Sequence, residues 1–114
     1  MSLLSFLFKG HTMPEEVQVL DREDYKQAIS KGKVQLVDVR TRAEFMSGHI
    51  KGASNIDFFQ GSAFESAFSR FKRDKPIFIY CQSGNRSQRA ARKLVDMGFK
   101  EVYDLKGGYR TWTY

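Results

Sequence analysis

Cysteine, histidine and proline are scarce in this chain. Its 114 residues include one cysteine, two histidines and two prolines. One cysteine excludes an intramolecular disulfide, and together with two histidines it offers too few ligands for a zinc or iron–sulfur site. We therefore expect no metal and no cofactor. The length suits one domain, and 41% hydrophobic residues are enough to bury one core.

Long apolar runs are also missing. The apolar start, Met1 to Phe8, is far shorter than the roughly 20 residues that a membrane span needs, so we expect no stable membrane insertion. No basic residue precedes it and no small-residue cleavage site follows, which disfavours a secretory signal. We expect a short helix docked on the domain, with a partner-docking segment, a membrane-surface segment or a cloning remnant as alternatives. The predicted division is an apolar segment and loop over 1–14 and a domain over 15–114.

The net charge of +6 is unevenly distributed. Residues 70–93 carry eight basic side chains and one acidic one, and the rest of the chain is close to neutral. A basic coat that follows a nucleic-acid backbone would be spread more widely, so we expect no nucleic-acid partner. A small anion is a better candidate for the partner of these basic residues. The lone thiol and the lack of a signal favour the reducing cytoplasm.

Strand and helix signals alternate along the chain. Apolar and β-branched runs predict strands at 17–20, 34–39, 54–56, 77–80 and 102–105. Capping residues and apolar periodicity predict helices at 21–32, 58–71 and 87–97, and Thr41 with Glu44 forms a capping-box signature for a single turn that Gly48 ends. This alternation predicts an α/β fold with a central, mostly parallel sheet and helices on both faces.

Cys81 directly follows the most strand-like segment. The next residues are Gln82, Ser83, Gly84, Asn85 and Arg86, and a helix comes after them. If this loop curls, its N–H groups can converge in front of the sulfur and form an anion cradle at the helix N-terminus. Such surroundings favour the thiolate form of a cysteine. The alternative is an inert, buried cysteine, which is common among free thiols.

Helical spacing indicates which of the basic side chains lie near this loop. Arg86, Arg89 and Lys93 share one helix face, with Arg86 nearest the cradle. The basic residues of 70–75 lie at the other end of the strand, about 17 Å away, and we expect a solvated turn there.

Several motifs together resemble a single-domain rhodanese over Val17 to Trp112. The motifs are Val37-Asp38-Val39-Arg40 with Glu44, Gly48-His49-Ile50-Lys51-Gly52-Ala53-Ser54-Asn55-Ile56, Cys81-Gln82-Ser83-Gly84-Asn85-Arg86-Ser87, Gly98-Phe99, and Gly107-Gly108 before Trp112. The resemblance implies the rhodanese α/β fold and a sulfurtransferase in which Cys81 carries a sulfane sulfur as a persulfide. It also implies that the loop from Gln82 to Arg86 binds a small anionic sulfur donor such as thiosulfate. The acceptor would be cyanide or an external thiol, and a protein could serve as sulfur donor or acceptor.

The remaining residues of these motifs have supporting interpretations. We expect Asp38 to orient the loop or to cap a helix, and Arg40 to form an ion pair with Glu44. Arg89 would join Arg86 in favouring the departing sulfite. His49 is expected to be a hydrogen-bonded turn residue, with a proton relay as the alternative.

Two other functions remain open. One is a non-enzymatic sulfur carrier or regulatory binding module with the same fold. The other is a phosphatase or arsenate reductase, although phosphatase loops of this kind hold five residues between cysteine and arginine. Here four residues separate Cys81 from Arg86, and the shorter ring suits a single sulfur atom better than a phosphoryl group.

Overall fold

A five-stranded parallel sheet forms the centre of the computed structural model, which describes residues 13–112. The strands are β1 (Val17–Leu20), β2 (Gln35–Asp38), β3 (Ser54–Asn55), β4 (Ile77–Tyr80) and β5 (Val102–Leu105). Their order in the sheet is β1-β5-β4-β2-β3, and every pairing is parallel. The prediction of an α/β fold with a parallel sheet is confirmed, although β2 and β3 are shorter than expected.

Helices cover both faces of this sheet, as predicted. They are α1 (Arg22–Ile29), α2 (Arg42–Met46), α3 (Ser62–Phe68), α4 (Asn85–Asp96) and α5 (Tyr109–Trp112). One buried cluster packs α3 and α4 on the sheet and contains Phe64, Phe68 and Leu94. The second cluster contains Tyr25 of α1 and Phe78 of β4. Because both faces are buried, β4 is apolar at every position rather than alternating.

The predicted helix over 58–71 is wrong as one continuous element. A 3₁₀ turn, Phe58–Gln60, is separated from α3 by Gly61, whose φ of 64° is outside the helical region. The side chain of Asp57 caps the turn by accepting from the Phe59 N–H. The break also turns Phe59 outward, where it is 63% exposed. The aromatic residues of this segment therefore do not all face the core.

The helix predicted over 87–97 begins two residues earlier. Gly84 precedes it in the left-handed conformation, with a φ of 107°, and offers no side-chain cap. A residue without Cβ adopts this conformation at little cost. The earlier start places Asn85 and Arg86 in the first turn of α4, so their amides belong to the positive end of the helix.

The apolar start of the chain and its predicted docked helix lie outside the described residues, as do positions 113–114. Within residues 13–112, no helix is long and apolar enough to cross a membrane.

Candidate active site

Cys81 lies at the carboxyl edge of the sheet, one residue beyond β4. In the sheet, β4 lies between β5 and β2. The N–H of Gly84 donates to Sγ of Cys81 at 3.0 Å, and Sγ lies 3.4 Å from the Ser87 hydroxyl. That hydroxyl in turn donates to the Gly84 carbonyl at 3.2 Å. The loop therefore curls back over the sulfur.

Other N–H groups of the loop are left without an acceptor. The backbone ladder of α4 starts with the Gln88 N–H, which donates to the Gly84 carbonyl at 3.2 Å. Between Cys81 and Gln88, the N–H groups of five residues have no acceptor among residues 13–112: Gln82, Ser83, Asn85, Arg86 and Ser87. The first N–H groups of a helix are left free by its geometry and attract anions. The loop can therefore supply several donors to an anion next to Cys81.

Burial of the thiol agrees with the alternative that the sequence left open. Cys81 is 1% exposed and is part of the buried cluster under α3 and α4. The segment that enters α5 clamps the loop, since the Tyr109 N–H donates to the Cys81 carbonyl and the Arg110 N–H donates to the Gln82 carbonyl. Such burial is typical of an inert core cysteine. The side chain therefore has little direct access to solvent.

The expected ion pair between Arg40 and Glu44 is wrong. Arg40 pairs with Asp38 at 2.7 Å, and both side chains are buried. The separation of four residues does not bring Arg40 and Glu44 together, because Arg40 lies before the cap of α2 and is not helical. Its backbone N–H also bonds to Asp38. Burial lowers the pKa of Arg40, but the hydrogen bond and charge of Asp38 raise it by more. Arg40 also donates to the side chain of Gln82 at 3.0 Å and to the Gly48 carbonyl at 2.7 Å.

This arrangement gives Asp38 the orienting position that the sequence suggested. Asp38 holds the guanidinium of Arg40, and Arg40 holds Gln82, the first residue after Cys81. The ring of Tyr109 lies 4.3 Å from the Arg40 guanidinium carbon. The loop is thus connected at its start to the end of β2 and to α5.

Glu44 pairs with Arg86 instead. The two guanidinium nitrogens of Arg86 lie 2.7 and 3.0 Å from the two carboxylate oxygens. Glu44 also completes the predicted capping box with Thr41, which is confirmed. Hydrogen bonds from Arg86 lower the pKa of Glu44 to about 2. Much of the Arg86 charge is therefore neutralised, and less of it is available to a donor than the sequence suggested.

The basic face of α4 lies over aromatic rings. The guanidinium carbon of Arg89 is 5.0 Å from the Phe58 ring centre, and the Lys93 ammonium is 5.8 Å from the same ring. Arg86 is 6.0 Å from the exposed ring of Phe59. Arg89 has no carboxylate partner within the described part of the chain, so it adds positive charge near the loop.

Two other groups lie apart from this site. The His49 ring stacks on Phe45 and contacts the Phe45 carbonyl at 2.9 Å, as expected of a turn residue. The basic turn of 70–75 lies at the opposite edge of the sheet, where it borders a hollow of about 860 Å³. None of the predicted site residues lines this hollow.

Three residues beside the loop were missed by sequence reasoning as parts of a site. Ser87 contacts the sulfur, Gly108 packs against the backbone of Gln82, and Asp104 is buried on β5. A lone carboxyl inside the apolar strand Val102–Leu105 was the signal that could have identified Asp104. Among the residues described, no cluster of histidine, cysteine and carboxylate side chains could hold a metal ion.

Comparison with known proteins agrees with this fold and loop. The Rhodanese-like domain family matches residues 21–114. The match covers most of the chain, so the protein belongs to the Rhodanese-like domain family, and its sequence resemblance to single-domain rhodaneses is confirmed.

Individual relatives cover most of the chain as well. The chain is 40% identical to an uncharacterized protein, YqhL, of Bacillus subtilis over 96% of this chain and 80% of that protein. It is 36% identical to the thiosulfate sulfurtransferase GlpE of Pseudomonas fluorescens, over 78% and 79% of the two chains. A rhodanese-like domain protein from Staphylococcus aureus has the same fold, with a TM-score of 0.73 and 26% identity over 83% of this chain and 90% of that one. These relatives support membership of a sulfurtransferase family.

Proposed function

We propose that this protein is a sulfurtransferase that moves a sulfane sulfur from a small anionic donor such as thiosulfate to a thiophilic acceptor. Cys81 carries the sulfur as a persulfide between the two steps. The observation that carries the proposal is the contact of the Gly84 N–H with Sγ of Cys81 at 3.0 Å. A sulfur that accepts an N–H at a helix N-terminus is stabilised as an anion.

The first step loads the sulfur. The Cys81 thiolate attacks the outer sulfur of thiosulfate, a new S–S bond forms, and the bond between the two donor sulfurs breaks. Sulfite leaves with the electron pair of that bond. Loading places a negatively charged terminal sulfur next to the free N–H groups of the loop, and each hydrogen bond to a charged group contributes about 1.5 to 3 kcal/mol. Arg89 and the partly neutralised Arg86 favour the departing anion.

The second step unloads the sulfur. Cyanide or an external thiol attacks the terminal sulfur, and Cys81 leaves again as a thiolate. The chain has one cysteine, so the acceptor must come from outside the chain. A cellular thiol in the cytoplasm, or a protein thiol, meets this requirement.

Burial of Cys81 favours a second candidate, a domain of the same fold that holds sulfur or a partner without turnover. A cysteine residue that is 1% exposed offers its thiol little direct access to reagents, which lowers the rate of reaction. The two candidates differ in the rate of reaction rather than in the residues that are present.

Intact-mass measurement after exposure to thiosulfate tests the proposal. The wild type should gain about 32 Da, one sulfur atom, and lose it again on addition of cyanide with release of thiocyanate. Cys81→Ser should gain nothing, and Asp96→Asn, an exposed change at the far end of α4, should behave as the wild type. A wild-type mass unchanged by a panel of sulfur donors would refute the proposal. Loading without turnover would favour the carrier, and hydrolysis of an aryl phosphate would favour the phosphatase.

A further inference from the structure

Asp104 is a buried carboxyl close to the candidate nucleophile. It is 1% exposed, and its Oδ1 has no hydrogen-bond partner among the described residues. In the sheet, Asp104 of β5 is paired with Ile79 of β4. Cys81 is two residues beyond Ile79, and alternation along a strand places the two side chains on the same face. Asp104 is therefore a near neighbour of Cys81 across the sheet.

The hydroxyl of Ser87 connects the two groups. It lies 3.4 Å from Sγ of Cys81. Burial raises the pKa of Asp104 to about 7, and hydrogen bonding from Ser87 is the largest opposing effect. Ser87, itself fully buried in the first turn of α4, is therefore near both the thiol and the carboxyl, and its hydroxyl donates to the Gly84 carbonyl.

In the described part of the chain, no lysine or arginine pairs with this carboxyl. Val19 is paired with Asp104 from β1, and Ile79 is paired with it from β4. The hydroxyl of Ser87 approaches from α4. The phenol of Tyr25 from α1, whose pKa is raised by burial and then by the charge of Asp104, donates to the Ile79 carbonyl. No salt bridge to Asp104 occurs within residues 13–112. An ionised thiol and an ionised carboxyl together would be costly here.

We propose that Asp104, acting through Ser87, takes up the proton of Cys81 when sulfur is loaded and returns it when sulfur leaves. This proposal rests on the proposed sulfur transfer at Cys81. It assigns Asp104 a role in storing a proton, without contact with the substrate.

The steps balance in protons and charge. Before loading, Cys81 is a thiol and Asp104 a carboxylate. When the donor binds, the Ser87 hydroxyl turns from the Gly84 carbonyl to the Asp104 carboxylate and gives it a proton, while the thiol proton passes to the Ser87 oxygen. The resulting Cys81 thiolate attacks the donor sulfur, and sulfite leaves. The persulfide anion then lies beside a neutral carboxylic acid. Unloading reverses the transfer, and the buried pair carries one negative charge in both states.

A carboxyl suits this role only because it is buried. An ordinary aspartate is too weak a base to accept the proton of a thiol, whereas a group that titrates near the working pH both accepts and returns protons efficiently. Both oxygens of a carboxylate accept hydrogen bonds, and the unpartnered Oδ1 leaves capacity for such a transfer.

The test measures the pH dependence of two reactions of Cys81 in the full chain. The first is sulfur loading from thiosulfate in a single turnover, followed by intact mass. The second is alkylation by iodoacetamide, which needs the thiol but no sulfur chemistry. The variants are Asp104→Asn and Ser87→Ala, with Asp96→Asn as the control for loss of a carboxylate.

We expect both wild-type rates to rise with an inflection near the pKa of Asp104, about 7. Asp104→Asn and Ser87→Ala should lack this inflection and should react about a hundredfold more slowly at neutral pH, as is typical for loss of a general base. Circular dichroism and thermal melts should show that both variants are folded.

Equal or faster alkylation in Asp104→Asn, with an unchanged pH profile, would overturn the role of Asp104 even if sulfur transfer is established. Failure of the wild type to load sulfur while alkylation shows the expected profile would overturn the proposed function alone. A wild-type thiol that resists alkylation at every pH would count against both.

Discussion

The buried carboxyl of Asp104 makes the stability of this protein depend on pH in a direction opposite to that of most aspartates. Its pKa rises from 3.8 to about 7 in the folded state because of burial. As the pH rises above 4, the unfolded chain loses this proton first, so the free energy of unfolding falls until the folded state also ionises near pH 7. The difference in pKa corresponds to a loss of at most about 4 kcal/mol.

Asp104→Asn removes this titration and retains a similar shape. Its stability relative to the wild type should therefore increase by about 3 kcal/mol between pH 4.5 and pH 8, in addition to any pH-independent cost of the amide. Urea unfolding at several pH values measures this change, and the exposed Asp96→Asn is the control, for which we expect none. A difference between Asp104→Asn and wild type that stays constant over this range would refute the assignment of a raised pKa.

Two further perturbations test the loop and its ion pair. Gly108→Ala should cost several times the roughly 1 kcal/mol expected for Gly61→Ala, and should also abolish sulfur loading. Both glycines have positive φ (69° and 64°), but they differ in the space around a Cβ. On Gly108 it would lie 2.5 Å from the carbonyl carbon of Gln82, whereas on Gly61 it would meet nothing within 4 Å. Equal losses of stability in urea unfolding would contradict this steric argument. Glu44→Gln should remove about 1 kcal/mol of stability near neutral pH, since the Arg86 pair is partly exposed, and the difference from wild type should fade below pH 4.5 as the carboxylate, with a pKa of about 2, is protonated. A loss that persists unchanged at about pH 2 would show that the pair is not its source.

Features that depend on neighbours along the chain were predictable from the sequence. Strands β1, β4 and β5 have the predicted bounds, and the Thr41–Glu44 capping box forms as expected. The position of Cys81 after a buried strand and before a helix also follows from local pattern. The exception is the segment 58–71, where one glycine with positive φ outweighs the aromatic periodicity.

Partners across the sheet were not predictable in this way. Glu44 and Arg86 are 42 positions apart, and they meet because β2 and β4 are neighbours whose carboxyl ends share an edge. Sequence spacing instead suggested Arg40, which turns inward to Asp38 and reaches the loop through Gln82.

The sequence by itself therefore determined the family, the α/β fold and the identity of the candidate nucleophile, because apolar period, capping and glycine placement act over a few residues. The tertiary structure decided how far Cys81 is buried, which charge Arg86 meets and that Asp104 lies near the thiol. These properties depend on which strands become neighbours and on what excludes water from the space between them, and neither can be read from spacing along the chain.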